Sequence, residues 1–155
     1  MPVLFKKING AALAAFVISS LLFMGLAHAD MLFKRGHLKI ETQHGPVMLD
    51  VEIADTEPKR EQGLMFRQHL AANQGMLFLF DSEQEITMWM KNTYIPLDMV
   101  FIGRDWRIVN IAQNAEPLST DIISSVQPAS RVLEIAGGQA EKLGLKTGDR
   151  VTFQQ

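Results

Sequence analysis

The stretch Met88-Trp89-Met90-Lys91-Asn92-Thr93-Tyr94-Ile95-Pro96-Leu97-Asp98-Met99-Val100-Phe101-Ile102 decides how the chain is read, because two apolar runs enclose a short polar island. Before the island, Ile86, Met88 and Met90 share one face of a strand starting at Glu85, with Thr87 and Trp89 on the other. After it, Pro96 has no amide to give a ladder and so marks a strand start, an edge or a bulge, which makes Leu97 to Ile102 the next strand. The island itself carries Lys91, Asn92 and Thr93 as donors and an amide, with Asp98 as a carboxylate and Trp89 and Tyr94 as flat amphipathic surface. A plain core strand has little use for that mixture, so the island is the first candidate for function.

Working outward, Met76-Leu77-Phe78-Leu79-Phe80 is apolar without alternation, as in a strand covered on both faces. Asp81 to Gln84 reads as a turn. Downstream, Gly103-Arg104-Asp105 is a tight turn, Trp106 to Ala112 completes a hairpin, and Gln113 to Asp121, with Pro117, reads as an exposed loop. Ile122 to Gln127 is ambiguous. Upstream, Leu38 and Ile40 alternate with Lys39 and Glu41 before the turn-like His44-Gly45-Pro46. Val47, Leu49, Val51 and Ile53 then alternate with polar partners, the period of two of a half-buried strand.

Thr56 is a plausible N-cap for a helix over Glu57 to Phe66, with Pro58 in the first turn and Gly63 inside it. Towards the carboxyl end, Arg131 to Ala136 is strand-like, Gln139 to Leu143 is a short helix stopped by Gly144, and Arg150 to Phe153 is a last strand. Seven or eight short strands with two brief helices predict an α+β fold, mostly antiparallel β, in the form of a small curled sheet or barrel-like domain.

The first 29 residues are expected to be a secretory signal peptide: Lys6 and Lys7 form a basic start, an apolar run extends from Ile8 to Leu26, and Ala27-His28-Ala29 offers cleavage after Ala29. An uncleaved anchor is the alternative, since the run approaches the roughly 20 residues of a spanning helix. Removal leaves residues 30–155 as a single globular domain, periplasmic or secreted, with no membrane insertion after cleavage. Without Lys6 and Lys7, 13 basic residues of the 15 stand against 17 acidic ones, a formal charge of −4 that argues against a nucleic-acid partner. The absence of cysteine excludes disulfide staples, thiolate metal sites and a cysteine nucleophile.

Four ordered blocks carry a resemblance: Arg60-Glu61-Gln62-Gly63-Leu64-Met65-Phe66-Arg67, Gly75-Met76-Leu77-Phe78, Trp89-Met90-Lys91-Asn92-Thr93 with Ile95-Pro96-Leu97-Asp98, and Leu133-Glu134 with Ala136-Gly137. Through them the chain resembles the domain of unknown function 192 family over nearly the whole of residues 30–155. The resemblance implies a compact, mostly-β fold and an envelope or extracellular setting, and it implies no established reaction.

Catalytic signatures are sparse. There is no Gly-x-Ser-x-Gly elbow, no phosphate-cradling glycine loop and no His-Glu-x-x-His pair, and His37, His44 and His69 are scattered. Met88 and Met90 beside Trp89 suggest soft-metal ligands, but the same alternation makes them core fillers, so no metal or cofactor is expected. The constellation that remains is Arg60, Glu61, Trp89, Lys91, Asn92, Thr93, Tyr94, Asp98 and Glu134.

In one reading these residues are structural, with Asp98 accepting backbone donors freed by the bend at Pro96 and Arg60 pairing with Glu61, Asp98 or Glu134. In the other they line a cleft in which Arg60 or Lys91 holds an anionic or hydroxyl-rich ligand and Trp89 or Tyr94 stacks on it. The expected function is a non-catalytic binding or accessory protein of the cell envelope, its partner a small ligand or envelope component. Two alternatives are a hydrolase-type enzyme using the carboxylates Glu61, Asp98 and Glu134, and a protein-interaction module.

Overall fold

Alternation of apolar and polar residues between Leu38 and Ile53 sends one set of side chains into a core and the other into water, and it folds into a hairpin. In the computed structural model, which describes residues 32–154, its arms are β1 (Lys34–Thr42) and β2 (Gly45–Ala54), with Leu38 opposite Leu49 and Ile40 opposite Val47. The signal peptide expected over residues 1–29 lies outside the described residues.

From β2 the chain crosses through α1 (Glu57–Gln62) to β3 (Gln74–Met88), which runs parallel to β2 with Ile53 beside Leu77. Next come β4 (Leu97–Ile102), β5 (Ile108–Ala115), β6 (Ile123–Ala136), the short helix α2 (Gln139–Lys142) and β7 (Arg150–Gln154). The sheet order is β5-β4-β6-β3-β2-β1-β7, antiparallel at every pairing except β2 with β3. A mostly antiparallel sheet with two short helices is therefore what the sequence led us to expect. The sheet is not closed: its outer strands β5 and β7 meet through an isolated bridge at Arg107 and Arg150.

Several boundaries differ from the sequence reading, among them β5, which runs to Ala115 and so takes Gln113 to Ala115 out of the expected loop. The polar residues Asp81 to Gln84 are not a turn but part of β3, which runs on beside β6 with a register irregularity between Leu79 and Gln84; all four are exposed, so an extended strand keeps them in water. The undecided segment from Ile122 to Gln127 belongs largely to β6. The first helix ends at Gln62 rather than Phe66, because Gly63 turns to φ 48°, a conformation open to glycine, and a Cβ there would lie 3.1 Å from the Phe78 ring.

The central strands carry buried side chains on both faces, and β4 is buried along its whole length. One face contributes Leu77, Val100, Ile102, Leu133 and Ile135 to a cluster with Leu38, Ile40, Leu49, Val51 and Ile53. Since neighbours across a ladder share a face, the other face carries Met76, Glu134 and Met99 in one row and Phe78, Val132 and Phe101 in the next. A carboxyl thus sits in the middle of an apolar row.

Candidate functional site

The polar island emerges as a turn between β3 and β4, held by backbone bonds to two other segments. Met90 donates to the Ser119 carbonyl at 3.0 Å, Leu118 donates to the Thr93 carbonyl at 3.0 Å, and Phe66 donates to the Asn92 carbonyl at 2.8 Å. Asn92 sits at φ 55°, a left-handed position asparagine tolerates better than most residues. The Thr93 hydroxyl donates to the Lys91 carbonyl at 3.3 Å.

Between this turn and α1 lies a cleft of ≈ 990 Å³. Arg60, Glu61 and Met65 line it on the α1 side, Trp89, Lys91 and Thr93 on the turn side, Phe78 and Phe80 behind, and Glu134 at its buried end. Of the residues singled out in the sequence, the structure brings together Arg60, Glu61, Trp89, Lys91, Thr93 and Glu134. It places three elsewhere. Asn92 shapes the turn and turns its amide nitrogen to the Met65 sulfur at 3.8 Å. Tyr94 packs edge-on against Phe66, with centroids 6.1 Å apart.

Asp98 is fully buried and lines no part of the cleft. Its Oδ1 accepts from the amides of Asn114 at 2.8 Å and Gly138 at 3.0 Å, and its Oδ2 accepts from the Ala140 amide at 2.7 Å. These bonds tie β4 to β5 and to the start of α2, so the residue serves the fold, but through donors of those two segments rather than ones freed by the bend at Pro96.

Glu134 is the unusual member. It is 4% exposed, stands between Met76 of β3 and Met99 of β4 across the ladder, and its carboxyl has no hydrogen-bond or ion-pair partner among the described residues. Burial pushes its pKa up to about 8, so the group is mostly a neutral acid at pH 7. The cations are placed differently. Arg60 Nη1 donates to the Leu79 carbonyl at 2.9 Å while its guanidinium lies over the Phe80 ring at 5.2 Å, and Lys91 Nζ lies over the Trp89 ring at 5.1 Å. Two of the three aromatic side chains that line the cleft, Phe80 and Trp89, therefore already hold a cation, and Phe78 does not.

Sequence reasoning missed Thr87, Thr120 and Ile122, which also line the cleft. Thr120 and Ile122 arrive because the loop before β6 is hydrogen-bonded to the island, a pairing with no local signal. Among the described residues no group of three or more His, Asp or Glu side chains is placed to hold a metal ion.

Comparison with known proteins finds solved structures of the same fold, including the following two. A candidate transcription regulator from Sinorhizobium meliloti is 43% identical, with a TM-score of 0.76, and the match covers 78% of this chain and 95% of that one. A protein of unknown function from Novosphingobium aromaticivorans is 38% identical, with a TM-score of 0.77, and the match covers 82% of this chain and 91% of that one. No curated protein matches. The family model DUF192, Uncharacterized ACR, matches residues 38–153, and the chain belongs to that family.

Proposed function

We propose that the chain is an exported, non-catalytic binding protein of the cell envelope whose small ligand occupies the cleft between α1 and the turn after β3. The observation that carries this reading is Glu134, a residue only 4% exposed whose carboxyl lines the cleft and has no hydrogen-bond or ion-pair partner among the described residues. Among the described residues no fully buried side-chain polar atom is left unmatched, so this carboxyl meets the cleft, where a ligand can supply the partner that the protein does not. Trp89, half exposed beside Lys91, supports the reading with a flat surface next to a charge.

Export is supported by the basic start, apolar run and Ala27-His28-Ala29 in the first 29 residues. The S. meliloti relative's description suggests a regulator of transcription instead. The acidic excess here, 17 acidic against 15 basic residues, favours a ligand other than nucleic acid. We also read the sheet as barrel-like in its curl, on the strength of the Arg107 to Arg150 bridge between its outer strands.

The test is a thermal-shift screen of protein recovered from the periplasm of an expressing cell, against sugars, organic acids, nucleotides, metal ions and cell-wall fragments. Recovery of a chain beginning at Asp30, and a melting temperature that climbs with the concentration of one compound class in the wild type but not in Trp89→Ala, is the expected result. Retention of residues 1–29, or no class giving a shift, would count against it.

A further inference from the structure

We propose that the cleft takes a small hydroxylated carboxylic acid, with the ligand's carboxylate accepting a hydrogen bond from Glu134 and its charge balanced by Arg60 and Lys91. This rests on the cleft being a ligand site and goes on to name the chemistry of what fills it. The argument starts from what Glu134 lacks. Its neighbours across the ladder are Met76 and Met99, and among the described residues no hydrogen bond joins its carboxyl to β3, β4, α1 or the turn. A carboxylate is the strongest acceptor an organic ligand can bring to an O–H donor, and the bond is charge-assisted.

The charged groups facing the cleft are Glu57, Arg60 and Glu61 from α1, Lys91 from the turn, and Glu134 from β6; β3 and β4 contribute none. Glu57, Glu61 and Lys91 are exposed and keep most of their hydration, with the lysine offsetting one of the two acids, whereas Arg60 is half-buried and Glu134 is buried. Arg60 commits one donor to the Leu79 carbonyl, and Lys91 has no ion-pair partner among the described residues. An entering anion therefore meets two unpaired cations and a neutral acid. A cationic ligand would meet the same two cations as repulsion, and an uncharged one would leave them unanswered.

Hydroxyl groups on the ligand have matching partners. Thr87, Thr93 and Thr120 line the cleft; the Thr93 hydroxyl, which donates to the Lys91 carbonyl, can still accept, and those of Thr87 and Thr120 can do either. Because the ligand anion needs the proton on Glu134, binding is linked to pH. It is strong while that carboxyl is protonated and fades once the carboxyl ionises and opposes the ligand's charge, a transition governed by the acid's raised pKa of about 8.

The experiment is isothermal titration of the exported protein with three six-carbon polyols that differ at one end: D-gluconate, which is anionic, D-glucitol, which is neutral, and D-glucamine, which is cationic. Gluconate is expected to bind about tenfold or more tighter than either analogue near pH 6, and to weaken by about tenfold near pH 9. Glu134→Gln keeps a neutral donor, so it should retain gluconate binding and lose the pH dependence. The wild-type comparison stands even where that variant folds poorly. Glucitol or glucamine binding as well as gluconate, or gluconate binding that is flat in pH, overturns the acid as ligand while leaving the cleft as a site. If none of the three binds, the sugar-acid proposal falls, and the thermal-shift screen decides separately whether the cleft reading falls with it.

Discussion

The Ala140 amide at the start of α2 donates to Asp98 Oδ2 at 2.7 Å, joining a helix terminus to β4, the strand beside the outer strand β5. The other oxygen of the carboxylate receives Asn114 and Gly138, so one fully buried side chain satisfies three backbone donors from two segments. Asp98→Ala takes the acceptor from all three, the buried Ala140 amide among them, and urea unfolding should show a loss of about 3 to 5 kcal/mol. Asp98→Asn keeps one acceptor and should cost about 1 to 3 kcal/mol. Ligand binding per folded molecule should be unchanged in both, since Asp98 does not reach the cleft; weaker binding by a fully folded Asp98→Asn protein would contradict this placement.

Gly75 sets how closely β3 approaches β6. A Cβ at that position would stand 2.6 Å from the Glu134 carbonyl oxygen and 3.1 Å from side-chain atoms of Leu133 and Ile135. The nearest obstacle is backbone, which cannot swing aside, so Gly75→Ala must part the two strands. We expect a loss of about 1 to 3 kcal/mol in thermal or urea unfolding. Gly75 pairs with Ile135, the residue after Glu134 in β6, so the variant should also bind any cleft ligand more weakly than its fraction folded explains.

The strands were legible where side chains alternate, as in Leu38–Ile40, Val47–Ile53 and Val151–Phe153, because period two leaves a mark in sequence that needs no knowledge of partners. Asp81 to Gln84 misled for the opposite reason: four polar residues look like a turn, and only the neighbouring length of β6 makes a strand of them. Parity within β4 separates Asp98 from the cleft. Asp98 shares its face with Val100 and Ile102, while Leu97, Met99 and Phe101 share the face of Glu134. That parity can be read from the sequence, but its meaning cannot, since the pairing of Met99 with Glu134 joins residues far apart in the chain. Glu134 looked like one carboxylate among several until its neighbours were known.

Leu118 is an exposed, bulky residue at φ 65°, held there by its amide bond to the Thr93 carbonyl. Left-handed backbone costs an L-residue roughly 1 to 2 kcal/mol, and glycine escapes most of that. Replacing Leu118 by alanine or by glycine removes the same exposed side chain, so the comparison isolates the backbone term. Leu118→Gly should be the more stable of the two by about 1 kcal/mol in denaturant unfolding, despite its larger unfolded-state entropy. Equal stabilities, or an advantage for alanine, would place Leu118 outside the left-handed region in solution.

The buried carboxyl makes stability depend on pH in a direction opposite to most acidic groups. Glu134 has an ordinary value of 4.5 in the unfolded chain and about 8 in the folded one, because burial disfavours its charged form. Between those values the folded protein holds a proton that the unfolded chain has released, so stability is fully present below about pH 4.5 and falls as pH rises. The slope is about 1.4 kcal/mol per pH unit, and it flattens above about pH 8. Asp55 acts the other way, held low chiefly by its hydrogen bond from Lys59, with Lys34 adding to it; that contribution disappears only at more acidic pH, outside this window. Urea unfolding at intervals across the window should therefore show a steady decline in the wild type, and Glu134→Gln should level it. A wild-type profile that is flat from about pH 5 to 8 would mean that Glu134 ionises in the folded protein as it does in water, and that the cleft reaches it with solvent.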